Sequence, residues 1–348
     1  MVTRVAINGF GRIGRMCLRA ALERSDIKVV AVNGTTDTAS AARLLKYDSV
    51  HGKLRWEVDA TDKGLFVDGC HIHFTAERNL ANMPWEELGV DVVIEATGKF
   101  NSSRESQTHL LRGAKKVVIT APAKDDMPTI VMGVNETIYN PLTDHLVSNA
   151  SCTTNCLAPI AKVVNDVFGI EKGMISTVHA FTTDQRSLDN SHKDPRRARG
   201  CTQSIIPTAT GAAKSIGAVI PELAGKLNGM AIRVPTPNVS LLDLVVELSR
   251  SADAAEINAA LKEAADGRMR GILEYCDEPL VSIDFLNNNH SAIIDATSTM
   301  VVKKRTAKIL AWYDNEWGYS CRVVDLAAFI GAQLLQEPET SACAKIAG

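Results

Sequence analysis

At 348 residues the chain exceeds what one small core organises, and two domains are the default expectation. Hydrophobic residues make up 45% and charged residues 22%, which argues against disorder over most of the length. Lys+Arg at 38 against Asp+Glu at 40 leaves a formal charge of -2, so no global field draws nucleic acid or an anionic membrane surface.

Residues 1–4 run straight into Val5-Ala6-Ile7 with no charged leader or cleavage signal. No window approaches the roughly 20 apolar residues that cross a bilayer, and the expectation is a soluble cytoplasmic protein. Eight cysteines are too sparse for a disulfide scaffold and form no paired CxxC clusters. No metal is expected, and most cysteines are expected to be buried thiols.

Apolar runs at 4–7, 28–32, 90–95 and 116–119, with an amphipathic segment at 14–23, give a β-α-β rhythm. Strands that are apolar throughout predict a doubly wound parallel sheet covered on both faces. From about Cys152 the texture changes to a helical stretch over 153–168, a polar and basic stretch over 183–203, and longer alternating strands at 230–234 and 241–248. With a helix at 254–265, this predicts an α+β domain on a mixed sheet. The expected division joins 1–151 to 316–348, through a returning helix at 323–335, and sets 152–315 apart. The tail at 339–348 is expected to be loose.

Directly after the first strand comes Gly9-Phe10-Gly11-Arg12-Ile13-Gly14. In the GxGxxG pattern the first glycine permits a tight turn, the second lets a pyrophosphate approach the backbone, and the third lets helix and strand pack closely. Strand, glycines, helix and second strand make this a Rossmann-type dinucleotide site. An NAD enzyme usually ends its second strand on an acid that holds the ribose, but here the strand ends Val32-Asn33-Gly34-Thr35-Thr36. Gly34 removes a carboxylate that would repel a 2′-phosphate, so NADP is admissible beside NAD. Asp37 stands a few residues later, either as a substitute acid or, the favoured reading, as a helix cap.

The most specific string is Ser148-Asn149-Ala150-Ser151-Cys152-Thr153-Thr154-Asn155-Cys156, which reads as a catalytic elbow. A cysteine at a helix start has its thiolate stabilised by amide dipoles, and a nearby imidazole lowers its pKa further. Cys156 shares a helix face with Cys152, yet one nucleophile explains the pair better than a metal or a disulfide. Thr177-Val178-His179-Ala180-Phe181-Thr182 puts a histidine at the end of an apolar strand, where it can meet Cys152 as its base.

These strings, with Arg196-Arg197-Ala198-Arg199, Thr210-Gly211-Ala212-Ala213-Lys214, Arg233-Val234-Pro235-Thr236-Pro237-Asn238 and Trp312-Tyr313-Asp314-Asn315-Glu316-Trp317-Gly318-Tyr319, resemble the phosphorylating glyceraldehyde-3-phosphate dehydrogenases over nearly the whole chain. The resemblance implies a thioester on Cys152, proton transfer to His179, and attack by inorganic phosphate, in glycolysis, gluconeogenesis or carbon fixation. It implies that Thr182 and Arg233 hold the phosphate of glyceraldehyde 3-phosphate, while Ser151, Thr153, Thr210, Gly211 and Arg197 hold the attacking phosphate. On the dinucleotide side it implies pyrophosphate contacts at Arg12 and Ile13. Adenosine-side contacts fall at Arg78 and Thr97, a ribose or nicotinamide contact at Thr120, and the carboxamide contact at Asn315.

Asn190-Ser191 stands where NAD-specific members of the family commonly carry Leu-Pro, and with Gly34 it tilts the expectation toward NADP. The resemblance further implies a homotetramer, with an S-loop at about 181–203 lying between subunits beside a cofactor. Thr183 and Pro195 also depart from the family pattern, without a functional reading. Two alternatives remain at this level: an erythrose-4-phosphate dehydrogenase, against which Thr182 argues, and a non-catalytic dinucleotide-binding regulator on the same fold.

Overall fold

The computed structural model describes residues 2–62 and 64–334. The first sheet grows from β1 (Thr3–Asn8), α1 (Arg12–Ala21) and β2 (Ile27–Asn33), followed by α2 (Thr38–Lys46) and a small hairpin of β3 (Tyr47–Asp48) and β4 (Gly52–Lys53). Then come β5 (Val58–Thr61), β6 (Gly64–Val67), β7 (Cys70–Thr75), β8 (Val92–Glu95), α3 (Ser103–Leu111), β9 (Lys116–Ile119) and β10 (Leu146–Ser148). The strand order is β10-β9-β8-β1-β2-β7-β6-β5. The strands from β10 to β7 run parallel, while β6 and β5 turn back as an antiparallel edge that the apolar runs did not foretell.

Both faces of this sheet are buried, as continuous apolar strands require. Val5, Ile7, Val92 and Ile94 pack with α1 and α2 on one side. Ala6, Val93, Val117 and Ile119 pack with Trp85 and Met83 on the other. Asp37 caps α2, its carboxylate accepting from the Ser40 amide at 2.8 Å, which settles its role as the cap.

The second sheet takes β11 (Ile170–Ala180), β12 (Ile206–Ala209), β13 (Leu227–Val234), β14 (Ser240–Leu248), β15 (Leu273–Cys276), β16 (Ala292–Val302) and β17 (Thr306–Tyr313) in the order β12-β13-β11-β14-β17-β16-β15. It is mixed: β11 pairs parallel with β13 and antiparallel with β14. Helices α4 (Cys152–Phe168), α5 (Ala212–Val219) and α6 (Ala254–Asp266) contribute to one core with Leu242, Leu244, Val246 and Leu248 of β14. The alternate residues of that strand, Leu241, Asp243, Val245 and Glu247, stay half-buried.

The returning helix α7 (Trp317–Leu334) packs on α1 and the first sheet. It begins six residues before the expected 323, because the Asp314 carboxylate accepts from the Glu316 and Trp317 amides and starts the helix there. The end of the expected helix at 335 and the 339–348 tail lie outside the described residues.

Of the seven described cysteines only Cys17, Cys156 and Cys201 are buried, against the expectation for most. Cys70 opens β7, Cys276 ends the edge strand β15, and Cys321 lines a surface groove beside Arg24. All seven are free thiols. Among the described residues no helix is long and apolar enough to cross a membrane, and no cluster of His, Cys, Asp and Glu is arranged to hold a metal.

Candidate active site

The candidate nucleophile, Cys152, stands at a built turn. Ala150 is fully buried with φ of 54°, a left-handed conformation that costs a non-glycine residue free energy and persists only where packing enforces it. Ser151 then caps α4, its hydroxyl accepting from the Thr154 amide at 3.1 Å. Cys152 is therefore the first helical residue. Its own amide and that of Thr153 have no intrahelical acceptor, and both turn toward the thiol.

Strand β11 brings the histidine. Cys152 Sγ lies 3.5 Å from His179 Nε2, and His179 Nδ1 is 2.7 Å from the Ala180 carbonyl oxygen. For Nε2 to receive a proton, Nδ1 must carry its own and donate it to that carbonyl. In the parallel register of β11 and β13, Arg233 is the partner of His179. Its Nη1 lies 2.9 Å from His179 Nδ1 and donates to the Ala180 oxygen at 3.0 Å, while its Nε is buried without a partner.

Burial, and then the Arg233 guanidinium, push the His179 imidazole down to about 3. Burial also pushes the Cys152 thiol up, while Arg233, the Thr153 hydroxyl and the helix-start amides pull it back. The sequence expectation of a thiol lowered by dipole and imidazole omitted this desolvation, which favours the neutral form of each partner taken alone.

Around this pair, Arg197 reaches Asp184 with one arm and donates to Thr208 Oγ1 at 3.0 Å. It is near enough to lower His179 as well. Thr210 and Gly211 form the start of α5, with Thr210 Oγ1 accepting from the Ala212 amide at 3.3 Å. Thr182 is half-buried, its amide turned to Gln185 Oε1 at 3.3 Å. Thr153 differs from the expectation: its hydroxyl is buried against Tyr313 Oη at 2.9 Å, so its amide is the group left to face a ligand.

The dinucleotide cleft, about 450 Å³, is lined by Asn8, Gly9, Phe10, Gly11, Asn33, Gly34, Arg78 and Thr97 among others. The glycines differ in function. Gly9 has φ of 100°, and a Cβ there meets Thr97 N at 2.7 Å; a Cβ on Gly14 meets the Gly9 oxygen at 1.9 Å. A Cβ on Gly11 meets nothing within 4 Å, so that open face is space for a ligand against the free amides of Arg12, Ile13 and Gly14 at the start of α1. The residues fit a bound pyrophosphate.

The side chains around the cleft are less free than the sequence suggested. Arg12 spends its guanidinium on Asp48 and Glu316, which leaves its backbone amide for a phosphate. Asn33 makes four protein hydrogen bonds, to Asn8, Thr75 and both backbone groups of Glu77, and serves as wall. The Thr97 hydroxyl is given to Glu95, and that of Thr120 to the Glu95 carbonyl oxygen at 3.1 Å. Asn315 is buried, with its Oδ1 accepting from Ser240 Oγ at 2.7 Å; its Nδ2 has no protein partner among the described residues.

The glyceraldehyde 3-phosphate dehydrogenase NAD binding domain family matches residues 3–103, and the C-terminal domain family of the same enzyme matches residues 151–315. The chain is 57% identical over 333 residues to "Glyceraldehyde-3-phosphate dehydrogenase" of Geobacillus stearothermophilus, covering 96% of this chain and 99% of the relative. It is 57% identical to "Glyceraldehyde-3-phosphate dehydrogenase 1" of Bacillus subtilis (95% and 98% covered). Identity to "Glyceraldehyde-3-phosphate dehydrogenase" of Streptomyces coelicolor is 55% (96% and 100% covered). The chain belongs to the glyceraldehyde 3-phosphate dehydrogenase family.

Within this family member the fold joins Cys152, His179, Arg233 and Arg197 in one corner, but it does not bring Asn190 and Ser191 to Gly34 in the same chain. Both are exposed on the S-loop, where Asn190 accepts from the Ser191 amide at 2.7 Å, and neither lines the cleft. Sequence reasoning missed Tyr313, whose hydroxyl lies within hydrogen-bond distance of Thr153 and Thr177 and whose ring packs edge-on to His179 at 5.9 Å. Its one sequence signal was its place two residues before Asn315. Asp184 and Lys99 were also missed, because a lone surface-type charge carries no pattern.

Proposed function

We propose that the chain catalyses the reversible oxidative phosphorylation of glyceraldehyde 3-phosphate to 1,3-bisphosphoglycerate, with NADP or NAD as the redox partner. The 3.5 Å approach of Cys152 Sγ to His179 Nε2, beside two arginines, carries this reading. A bound nicotinamide supplies the hydride acceptor. Cys152 Sγ adds to the aldehyde carbon, and the amides of Cys152 and Thr153 hold the oxyanion. His179 Nε2 takes the hydroxyl proton of the thiohemiacetal as its carbon is oxidised, which leaves a thioester on Cys152. Phosphate attacks the thioester carbonyl, the C–S bond breaks, and the acyl phosphate departs.

In this reading the Arg233 guanidinium and Thr182 hold the substrate phosphate. Arg197, Ser151, Thr210, Gly211 and the Thr153 amide hold the attacking phosphate. The Ser240 bond fixes the Asn315 oxygen and leaves Nδ2 as the group that would donate to the carboxamide. The dinucleotide-binding part is 1–151 with 316–348, and the catalytic part is 152–315. The half-covered face of the second sheet, where Met174, Met230 and Met300 are exposed, supports assembly with further copies, and the family resemblance favours a tetramer.

NADP acceptance is supported at the adenosine end. No acid replaces Gly34, and Asp37 is spent on capping. Of the lining residues, Arg78 and Lys99 have no ion-pair partner among the described residues, while the carboxylate of Glu77 accepts from the Arg78 and Asn79 amides and from Asn82. Asn190 and Ser191 join this site only if a neighbouring subunit supplies them. The test compares kcat/KM for NAD and NADP with glyceraldehyde 3-phosphate, with and without phosphate. A phosphate-dependent rate with NADP at least equal to NAD supports the whole reading. A strong NAD preference removes the NADP part, and phosphate independence removes the acyl-transfer step.

A further inference from the structure

Four segments far apart in sequence meet behind the cleft. Arg12 begins α1, Asp48 and His51 flank the β3–β4 turn, Asn287 precedes β16, and Glu316 follows Asn315 directly. The Arg12 guanidinium forks to both carboxylates, with Nε donating to Glu316 Oε1 at 2.8 Å and Nη2 to Asp48 Oδ1 at 3.1 Å. His51 closes the cluster from the other side. Its Nε2 lies 2.9 Å from Glu316 Oε2, its Nδ1 lies 2.5 Å from Asn287 Oδ1, and its side chain is 2% exposed. Both ring nitrogens face acceptors. With the Asn287 amide in this orientation only the doubly protonated ring donates from both, and the arrangement favours the imidazolium.

Within the hydrogen-bonded cluster itself, Arg12 and an imidazolium at His51 match the carboxylates of Asp48 and Glu316 in charge. The acids facing this corner are Glu316, Asp48 and Asp314, the last of which accepts from the Asn287 amide at 2.9 Å. The cations beyond His51 are Arg12, with Arg15 and Arg19 of α1 behind it. Arg15 and Arg19 give their N–H groups to the carbonyls of Phe10, Leu45 and Gly52. The Trp317 ring lies 6.3 Å from the imidazole and carries no charge. Hydrogen bonds to Glu316 and Asn287 raise the His51 pKa against the opposing effect of burial, which is the largest single influence.

We propose that His51 is a positioning residue for the dinucleotide: as an imidazolium between Asn287 and Glu316 it fixes the 314–316 turn, and with it the Asn315 amide, against the start of α1. This rests on the reading of Asn315 and the α1 amides as dinucleotide contacts. One cluster thereby sets the distance between the groups that hold the nicotinamide end and the pyrophosphate of the ligand. The sign follows from the raised pKa: the cluster is complete below the ordinary histidine range and loses its charge balance as pH rises through the folded-state value.

The test is calorimetric titration with NAD, which lacks the 2′-phosphate and its own ionisation near neutrality. Wild type, His51→Gln, Glu316→Gln and Asn315→Ala are titrated from about pH 6 to about pH 9, a range that spans histidine ionisation, with the thermal midpoint of each recorded. Wild-type Kd is expected to rise about threefold or more across that range, a factor worth roughly 0.7 kcal/mol. His51→Gln is expected to bind at about pH 6 as weakly as wild type does at about pH 9, and to lose the pH dependence. Glu316→Gln is expected to weaken NAD at every pH.

A flat wild-type profile overturns the proposal without needing any variant. A folded His51→Gln that keeps the wild-type Kd and its pH dependence overturns it too. If Asn315→Ala leaves Kd unchanged, the reading of the site itself fails. A large Asn315→Ala effect beside a silent His51→Gln removes only the positioning role.

Discussion

At the Cys152–His179 corner the protein holds its candidate reacting groups in advance, whereas at the Gly34 end of the cleft it leaves two cations without ion-pair partners among the described residues. His179 is fixed by the Ala180 carbonyl, Cys152 by the cap on Ser151 and the strained Ala150, and the nearby hydroxyls of Thr153 and Thr177 by Tyr313. Around Gly34, Arg78 and Lys99 face the cleft with no ion-pair partner among the described residues. The difference is chemical. Covalent catalysis needs groups placed to within tenths of an ångström before the substrate arrives, while discrimination between two dinucleotides needs only a presence or absence of charge.

Each end of the cleft can be perturbed without the other. The largest effect is expected from His179→Asn, which keeps a polar side chain but removes the base: kcat is expected to fall by about 10²–10⁴, with the KM of the dinucleotide little changed. An equal fall in dinucleotide affinity would show that the corner and the cleft are not separable.

Next is Gly34→Asp, which restores a carboxylate. The ratio of kcat/KM for NADP over NAD is expected to drop about tenfold or more, roughly 1.4 kcal/mol of discrimination. The new Cβ also presses on Phe74 Cζ at 2.9 Å, so NAD affinity is measured beside it to separate crowding from charge. An unchanged ratio would place selectivity elsewhere, with the S-loop of a neighbouring subunit as the remaining candidate.

Arg233→Ala tests the electrostatics of the corner. The guanidinium lowers both the thiol and the imidazole, so its loss raises both. The rate of Cys152 alkylation by iodoacetamide is expected to move to higher pH, in the sense of a thiolate that has lost a nearby cation. A profile that does not move would assign the thiol's environment to the helix-start amides and the Thr153 hydroxyl. The smallest effect belongs to Tyr313→Phe, which removes contacts to two buried hydroxyls and is expected to lower stability by about 1–2 kcal/mol. Its kcat is expected to stay near wild type, as read by thermal denaturation and steady-state assay.

Much of the site was legible because its residues sit in short local strings. Gly9, Gly11 and Gly14 need a strand before and a helix after, and Cys152 needs a cap at Ser151. His179 sits at a strand end, and each of these is a local event that spacing records. Arg12 shows where legibility stops. Its place in the motif was plain, but its commitment to Asp48 and Glu316 depends on partners 36 and 304 residues away, and no periodicity encodes such a meeting. The antiparallel edge of β5 and β6 was missed for a related reason: its strands are short, and the exposed residues of β5 break the apolar pattern.

The sequence by itself determined the α/β and α+β halves, the dinucleotide turn, and the candidates for nucleophile and base, because hydrophobic period and motif spacing are properties of neighbouring residues. Only the tertiary structure decided which of those groups remain free. It paired Arg233 with His179 through the β11–β13 register, saturated Asn33, turned the Thr153 hydroxyl to Tyr313 and brought His51 to Glu316. A side chain's availability depends on every partner within hydrogen-bond reach, and in a folded chain those partners come from anywhere in the sequence.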